Sequence, residues 1–433
     1  MPIAPPLSSE VEPTFGLLGR LFASTALEQV GFRLWEGTRW PDETERAATI
    51  VLKHPDTMRA MFATGTEKGL AEAYVRGDFE VEGDLEAACE LADALSESAS
   101  NQWFPAAARA VLQLRVAPRR PGLGRTWSSV GAWRRQRHSL KRDQQAVSFH
   151  YDVSNDFYEL WLDPRMLYSC AYFERADDDL AAAQVAKLEY LCRKLRLRPG
   201  QRLLDIGCGW GGLAIFAAQH FGVTVTGITL SEQQVALASS RVKEAGLDAR
   251  VRIELRDYRE LTEREGYDAV VSVGMAEHVG RENLPVYFRQ AFEQLRPGGV
   301  FLNHAISEGV RARPTQGTTF MLEYVFPDSD IPPIPPVLSA AESVGFEVRD
   351  VENLREHYVL TLRHWRRRLE EAQPPACELV DDATYRVWRL YLAGSAHRFR
   401  RTELAIYQTL LVKPNQRGEA PLPLTRRDWY SPR

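Results

Sequence analysis

A short apolar strand, a glycine-rich turn and a helix follow one another in LLDIGCGWGGLAIFAAQHFG, residues 203–222. Gly207, Gly209 and Gly211 allow the backbone to turn tightly and to approach a ligand closely. The helix that follows offers free N–H groups at its first turn. This order of elements requires a strand-turn-helix unit, and it predicts a ligand site at the turn.

The rest of the chain after residue 152 repeats this alternation, with apolar strands separated by helices of about 10–15 residues. We predict helices over about 179–195 and 231–245, and pairing of FEVRDVEN with YQTLLVK. Other strands are predicted in RLLDIGCG, VTVTGITL, VRIELRD, YDAVVSVG and GVFLNHAIS. The pattern predicts an α/β fold with a mostly parallel, doubly wound sheet.

Asp205 stands at the end of the first of these strands, directly before the G-x-G-x-G run. This arrangement resembles the S-adenosylmethionine (AdoMet) site of class I methyltransferases, whose loop contacts the amino-acid part of the cofactor. A dinucleotide site has G-x-G-x-x-G and an acidic residue at the end of the next strand. That strand ends here in the uncharged residues GITL, 227–230, so NAD binding is not favoured.

The missing acidic residue is also a departure from most methyltransferases, which bind the ribose hydroxyls with it. Polar residues at the same strand end can replace it, and the candidates around Leu230 are Thr229, Ser231 and Gln234. At the end of the following strand, Asp257 can accept a hydrogen bond from the adenine amine and Tyr258 can stack on the ring. The alternative role for Asp257 is to cap a helix N-terminus.

Length and composition indicate a globular chain of two or more domains, with 433 residues of which 44% are hydrophobic and 26% charged. We expect a smaller α+β domain for lipid or membrane docking over residues 1–112, a basic linker over 113–144, the catalytic domain over 145–413 and a tail over 414–433. Residues 115–142 contain nine Lys or Arg and no Asp or Glu. This stretch is either a solvated linker or a contact for anionic lipid headgroups, and Trp127 and Trp133 within it favour a membrane interface.

Several classes of protein are disfavoured by the composition. The net charge of −4 argues against a nucleic-acid-binding protein. Five scattered cysteines form no CxxC pair and no cluster of metal ligands, so a reducing compartment and no metal site are expected. The first residues lack the basic start and apolar run of a signal peptide, and no stretch reaches about 18 apolar residues. These features predict a cytoplasmic protein.

Six motifs resemble, in order and spacing, the cyclopropane-fatty-acid synthases and the related mycolic-acid methyltransferases. They are HYDVSNDFYELWLDPRMLYSCAYF, LLDIGCGWGGLAIFAA, GITLSEQQ, VGMAEHVG, HYVLTLRHW and RLYLAGSAHRFRRTELAIYQTLLVK. The resemblance covers residues 145–413, and GLAEAYVRGDFEVEGDL resembles the extra domain of the phospholipid-acting members. It implies a Rossmann-like class I fold that uses AdoMet. It further implies methylene transfer to the cis double bond of unsaturated phospholipid acyl chains. The resemblance places the enzyme at the inner face of the membrane, and it is compatible with a homodimer.

The resemblance also implies the residues of the reaction. In the family a bound bicarbonate removes a proton from the newly added methyl group, after its transfer has left a carbocation. The positions carried over for this anion are Cys170, Glu277, His304, Ile306 and Tyr358, and Tyr168 and Ser169 are carried over to the cofactor. Each has a plainer alternative: packing for Cys170 and Tyr358, a satisfied core histidine for His304 or His278, and a helix cap for Glu277.

Three departures from the family pattern affect this interpretation. Ala276 replaces an aromatic residue, Asn303 replaces a leucine and puts a polar group near the expected cation, and FRRTEL lacks a glycine at Arg401 or Thr402. The first two keep a rival reaction open, in which the same methyl transfer ends in a methylene or methyl branch. Other rivals are a methyltransferase acting on a small amine or phenol and a non-catalytic lipid-binding protein.

Overall fold

The computed structural model describes residues 11–22, 28–97, 103–112, 153–262, 264–312, 320–326, 330–420 and 422–430. The chain forms two compact units, each built from separate stretches. The first unit takes Met1–Ala132, Thr315–Val325 and Val380–His397; the second takes Trp133–Pro314, Phe326–Leu379 and Arg398–Arg433. These units differ from the predicted division, because two late segments join the N-terminal part. The predicted basic linker at 113–144 lies outside the described residues.

The first unit is an α+β structure, as the sequence predicts. Up to residue 112 its elements are α1 (Val11–Phe22), β1 (Val30–Arg33), β2 (Arg39–Trp40), β3 (Ala48–Leu52), α2 (Thr57–Phe62), α3 (Glu67–Val75), β4 (Phe79–Gly83), α4 (Leu85–Glu97) and α5 (Trp103–Leu112). The sheet has the order β2-β1-β3-β4, in which only β1 and β3 are parallel. Buried and half-buried residues alternate along β3, which is typical of a strand with one face on the core.

The second half of the chain contains the predicted α/β pattern. Its helices are α6 (Asn155–Glu159), α7 (Leu180–Lys194), α8 (Gly212–Phe221), α9 (Glu232–Glu244), α10 (Leu284–Gln294), α11 (Phe320–Tyr324), α12 (Ile334–Ser343), α13 (Arg355–Glu371), α14 (Gln373–Leu379), α15 (Asp382–Arg400) and α16 (Arg427–Tyr430). Its strands are β5 (Arg202–Ile206), β6 (Thr224–Thr229), β7 (Val251–Leu255), β8 (Tyr267–Val273), β9 (Leu295–Glu308), β10 (Glu347–Asn353) and β11 (Leu404–Val412). Helix α11 and most of α15 belong to the first unit.

Helix α15 joins the first unit through partly buried charged side chains. Arg386 Nη2 donates to Glu80 Oε2 at 2.5 Å, and Arg389 Nη1 donates to the hydroxyl of Tyr74 at 2.9 Å. Near the end of the segment, His397 Nε2 lies 2.7 Å from Asp93 Oδ2. Since these contacts connect residues some 300 positions apart, no local pattern in the sequence predicts them.

The sheet of the second unit has seven strands in the order β10-β11-β9-β8-β5-β6-β7. The strands from β5 to β9 are parallel, and β10 and β11 are antiparallel to their neighbours at one edge. The predicted pairing of FEVRDVEN with YQTLLVK is therefore confirmed. So is the mostly parallel sheet.

Helices cover both faces of this sheet. Leu203 and Val271 belong to one core cluster together with residues of α7 and α8. Their neighbours Leu204 and Val270 belong to another cluster with residues of α10 and α12. Because adjacent residues of a strand point to opposite faces, the two clusters lie on opposite sides, which is the doubly wound arrangement.

Parallel strands bring their carboxyl ends to one edge of the sheet, where ligands bind in this type of fold. Residue 206 ends β5, residue 229 ends β6 and residue 273 ends β8, so the predicted site residues that follow these positions share that edge. Within the part of the chain that the structure describes, no helix combines the length and apolar character that crossing a bilayer requires.

Candidate active site

The glycine-rich turn after β5 has the backbone conformation that only glycine adopts readily. Gly207, Gly209 and Gly211 have φ angles of 82°, 54° and 79°. The N–H groups of Gly207 and Cys208 donate to the carbonyl of Ile228 at 2.9 and 3.0 Å, which ties the turn to β6. A Cβ atom built on Gly209 would meet nothing within 4 Å. The turn is therefore fixed to β6 by hydrogen bonds, and the space beside Gly209 is open to a ligand.

A cavity of about 140 Å³ lies in front of this turn. Ten of the predicted cofactor-binding residues line it: Tyr168, Ser169, Asp205, Gly207, Gly209, Thr229, Leu230, Gln234, Asp257 and Tyr258. Two others support the wall from behind. Gly211 faces Ala238, where a Cβ would come within 3.2 Å, and the hydroxyl of Ser231 accepts from the N–H of Gln234 and caps α9.

The ends of β6 and β7 supply polar groups to the cavity. Thr229 Oγ1 donates to Gln234 Oε1 at 2.6 Å, so these two side chains hold each other. Asp257 accepts from the N–H of Arg259 and caps the short 3-10 helix Tyr258–Glu260. Its carboxylate also accepts two hydrogen bonds from the Arg259 guanidinium, at 2.8 and 2.7 Å. The capping role considered for Asp257 is thus observed, at a residue that also faces the cavity.

Asp205 is a buried carboxylate in the cavity wall. It is 2% exposed, and its Oδ2 has no hydrogen-bond partner among the described residues. Burial raises the pKa of Asp205 to about 7, while the nearby Lys187 opposes this shift. A ligand that donates a hydrogen bond or carries a positive charge at this point would satisfy the oxygen.

Several residues that the sequence analysis missed also line the cavity, among them Lys187, Trp210, Arg256, Met275 and His278. Lys187 had a detectable signal, because it follows Leu180 and Gln184 at the spacing of the buried face of α7. Trp210 stands inside the glycine-rich turn itself, and its Nε1 donates to Asn155 Oδ1 at 2.8 Å.

Glu277, Ile306 and His304 form a second cluster beside this cavity. Glu277 lies in the 3-10 turn Ala276–His278, and its Oε1 accepts from the backbone N–H of Ile306 at 2.7 Å. The carbonyl of His304 accepts from the N–H of Gly274, a residue of the cavity wall, at 2.8 Å. The backbone N–H of Ile306, a position carried over for the anion, therefore donates to Glu277.

Two polar atoms of this cluster are buried and have no hydrogen-bond partner among the described residues, Glu277 Oε2 and His304 Nε2. Burial raises the pKa of Glu277 to about 7 and lowers that of His304 well below its ordinary value, so the imidazole is neutral. His304 Nδ1 lies 3.3 Å from Gln408 Nε2. With that amide donating, the proton of the neutral ring is on Nε2. The plain roles of helix cap and satisfied core histidine do not account for these two atoms.

Cys170 is fully buried, and its thiol lies 3.3 Å from the carbonyl of Ala171 and 3.8 Å from that of Leu354. Burial raises the pKa of this thiol far above its ordinary value, so it is not a thiolate nucleophile.

Backbone contacts connect Cys170 to the rest of the cluster. The carbonyl of Leu354 also accepts from the N–H of Tyr358, and the N–H of Leu354 donates to Ile406. Ile406 pairs with Ile306 across β11 and β9. Leu354 and Ile406 thus link Cys170 and Tyr358 to Ile306, and the ring of Tyr358 packs on Phe399.

The side chain of Asn303 is hydrogen-bonded in the core. Asn303 Oδ1 accepts from the hydroxyl of Tyr287 at 2.9 Å, on the face of β9 that packs against α10. Adjacent side chains of a strand point to opposite faces, so the side chains of His304 and Ile306 lie on the other face of β9. Asn303 is therefore a core residue with a satisfied amide oxygen, on the face of β9 opposite to the side chain of His304.

Comparison with known proteins agrees with this geometry. Residues 138–409 match the family model described as mycolic acid cyclopropane synthetase. This chain belongs to that family. A "Probable fatty acid methyltransferase" of Pseudomonas putida is 41% identical over 92% of this chain and 95% of its own length. The "Cyclopropane-fatty-acyl-phospholipid synthase" of Escherichia coli K12 is 34% identical over 86% of this chain and 89% of its own length.

A solved structure of this family shows the cofactor class. The crystal structure of the mycolic acid cyclopropane synthase CmaA1 complexed with SAH and CTAB superimposes with a TM-score of 0.59, at 35% identity over 62% of this chain and 98% of that chain. SAH, S-adenosylhomocysteine, is AdoMet without its methyl group. This member of the cyclopropane synthetase family is accordingly an AdoMet-dependent methyltransferase.

The residues around the cavity fit AdoMet. The open side of Gly209 leaves room for a ligand against the backbone, and the unpartnered Oδ2 of Asp205 suits a positively charged group. Tyr258, which is 8% exposed, offers an aromatic face at the far strand end. When bound, the cofactor supplies the methyl group, and these residues hold and orient it.

Proposed function

We propose that this protein transfers a methylene group from AdoMet to the cis double bond of unsaturated acyl chains in membrane phospholipids and so forms cyclopropane fatty acids. The observation that carries this proposal is the pair of buried, unpartnered atoms Glu277 Oε2 and His304 Nε2 next to the cofactor cavity.

The chemistry explains why such a site is needed. An alkene is a poor nucleophile, so the methyl donor must be held close to it in a site that excludes water. The addition leaves a carbocation on the acyl chain, and the ring closes when a proton leaves the added methyl group. A base is therefore needed beside a cation, in surroundings that do not trap the cation.

We infer that this base is bicarbonate, held by His304, Glu277, Tyr358 and the backbone near Cys170. The Nε2–H of neutral His304 donates to an anion without adding a positive charge. Glu277, with its pKa near 7, is able to share a proton with the anion, which avoids two bare negative charges side by side. Ile306 orients Glu277 through the 2.7 Å hydrogen bond.

Product analysis tests the proposal directly. Purified protein is incubated with AdoMet and vesicles of an unsaturated phosphatidylglycerol, and the released esters are examined by proton NMR. Ring protons far upfield establish the synthase. A ring and a methylene branch add the same mass, so the position of the proton signals decides, and new methylene signals in the alkene region without upfield ring protons would refute ring closure.

The bicarbonate site has its own test. In degassed, bicarbonate-free buffer the wild-type rate should fall and should return when bicarbonate is added, whereas His304→Ala should be slow under both conditions. A wild-type rate that does not respond to bicarbonate would remove the anion from the proposal and leave methyl transfer intact.

A methyl- or methylene-branched product is the second candidate, because the 41% identical relative is named a fatty acid methyltransferase. Both candidates share the substrate and the first step, and the NMR experiment separates them. A small amine or phenol as substrate is tested by competition, since an excess of small amines should leave turnover on vesicles unchanged. We further propose that the protein works in the cytoplasm at the inner face of the membrane.

A further inference from the structure

Lys187 is a buried cation to which the proposed reaction gives no role. It lies on α7, is 1% exposed and lines the cofactor cavity. Its Nζ donates to Ser169 Oγ at 2.9 Å, and it forms no ion pair with a carboxylate of the described residues. Asp163 and Asp205 attract it only from a longer distance. A buried ammonium without a contacting anion is costly, so this arrangement calls for an anion in the cavity.

Asp205 is the opposite case in the same cavity. Its Oδ2 is buried and has no hydrogen-bond partner among the described residues. One cavity therefore presents a cation that lacks a contacting anion and a carboxylate oxygen that lacks a donor. A ligand with a negative group and a positively charged donor group satisfies both.

The position of Lys187 is fixed by its own helix. One turn earlier on α7, Gln184 Nε2 donates to the carbonyls of Leu167 and Ser169 at 3.3 and 3.0 Å. Gln184 and Lys187 thus hold the same stretch of cavity wall. An ammonium has three donors, and Ser169 accepts one of them, so Lys187 has donors to spare for a ligand.

We propose that Lys187 is a cofactor-binding residue that pairs with the α-carboxylate of AdoMet, while Asp205 pairs with the α-ammonium group. The cavity would thereby recognise the zwitterionic amino-acid end of the cofactor. The inference rests on AdoMet as the cofactor and does not depend on whether the lipid product is a ring or a branch. Burial lowers the pKa of Lys187 to about 8, and an anion beside it would restore the charged form.

Calorimetric titration of the full chain tests the pairing with two ligands, S-adenosylhomocysteine and its decarboxylated analogue, which lacks only the carboxylate. Wild type should prefer S-adenosylhomocysteine by roughly 10- to 100-fold, the range expected for a charged hydrogen bond. Lys187→Met should lose most of this preference, because its affinity falls for S-adenosylhomocysteine and stays within about threefold for the analogue.

A matched control lies two turns further along the same helix. Lys194 is also fully buried but pairs with Glu352 and Asp350, at 2.5 and 3.4 Å, away from the cavity lining. Lys194→Met should keep the ligand preference of wild type. Lys187→Gln, which retains a donor for Ser169, covers the case in which Lys187→Met does not fold.

The proposal is overturned if wild type binds both ligands equally well, which needs no variant. It is also overturned if the Lys187 variants weaken both ligands by the same factor, since Lys187 would then only shape the wall through Ser169. No lipid is present in this experiment, so a negative result for Lys187 is distinguishable from a failure to detect cyclopropane products.

Discussion

Glu277 is a carboxylic acid whose negative charge is disfavoured by its surroundings. It is 7% exposed, one oxygen accepts from the N–H of Ile306, and the other has no partner among the described residues. Its pKa is raised to about 7 by burial. A proton therefore stays on this side chain at pH values at which an exposed glutamate is ionised.

Replacement of Glu277 by Gln should stabilise the protein at high pH. Because the folded-state pKa is raised, the stabilising contribution of the protonated acid is complete below its ordinary pKa of 4.5 and is lost as the pH rises through about 7. Glu277→Gln should therefore exceed wild type by about 1–3 kcal/mol in unfolding free energy at pH 8.5 and by much less at pH 5. Denaturant titrations at both pH values measure this.

The exposed Glu371→Gln serves as control and should show no such dependence. An equal difference between Glu277→Gln and wild type at both pH values would contradict the assignment of a raised pKa to Glu277.

Thr402 has a left-handed backbone conformation, with φ of 63°, which a β-branched residue rarely adopts. The family pattern has one glycine at this point, at the position of either Arg401 or Thr402. Thr402→Gly should raise the unfolding free energy by about 1 kcal/mol. Arg401→Gly, at the neighbouring position, should lower it instead, because its φ is not positive. Thermal unfolding of the pair would reject the strain argument if both variants moved in the same direction.

The C-terminal helix α16 packs on α7 through Trp429. This side chain is 3% exposed and lies under the cations of Lys194, Arg196 and Arg426. The carbonyl of Trp429 also accepts from Arg193 at 3.3 Å. Within the described part of the tail, Trp429 thus belongs to the core of the second unit.

Trp429→Ala should lower the unfolding free energy by about 3 kcal/mol, at the low end for a buried tryptophan. Leu424, in the same tail, is fully exposed, and Leu424→Ala should change it by less than about 0.5 kcal/mol. Denaturant titration measures both changes. Comparable losses of unfolding free energy in the two variants would show that the tail does not stabilise the protein through the packing of Trp429.

The elements were largely predictable because their signals are local. The strand-turn-helix unit around Asp205, the helices α7 and α9 and the pairing of β10 with β11 follow from periodicity and glycine positions. Side-chain roles were less predictable. The sequence does not show that the side-chain oxygen of Asn303 accepts a hydrogen bond from the hydroxyl of Tyr287, on the face of β9 opposite to the side chain of His304. Lys187 was not predicted to line the cavity, because lysines are seldom fully buried.

At the scale of the whole molecule, the basic stretch at 115–142 is the part of the chain suited to anionic lipid headgroups. It lies outside the described residues, and its role stays a prediction. Each basic residue near such a surface contributes about 1 kcal/mol.

Neutralising Arg134, Arg135 and Arg137 together should weaken binding to anionic vesicles at moderate salt and leave the affinity for S-adenosylhomocysteine unchanged. Vesicle co-sedimentation and calorimetry measure the two quantities. A control with the same loss of charge removes the exposed Arg175, Arg198 and Arg252 of the second unit. Equal losses of vesicle binding in the two triple variants would assign the effect to net charge alone.

The first unit closes only with Val380–His397, where Arg386 and Arg389 reach Glu80 and Tyr74. The second unit likewise needs β11, which ends at residue 412 and pairs with β9. Ribosomes deliver a chain from its N-terminus, and most domains fold in that order as they emerge. The first unit therefore stays incomplete until residue 397 has emerged and the second until residue 412, so both cores are still unfinished in a nascent chain that has reached only residue 379.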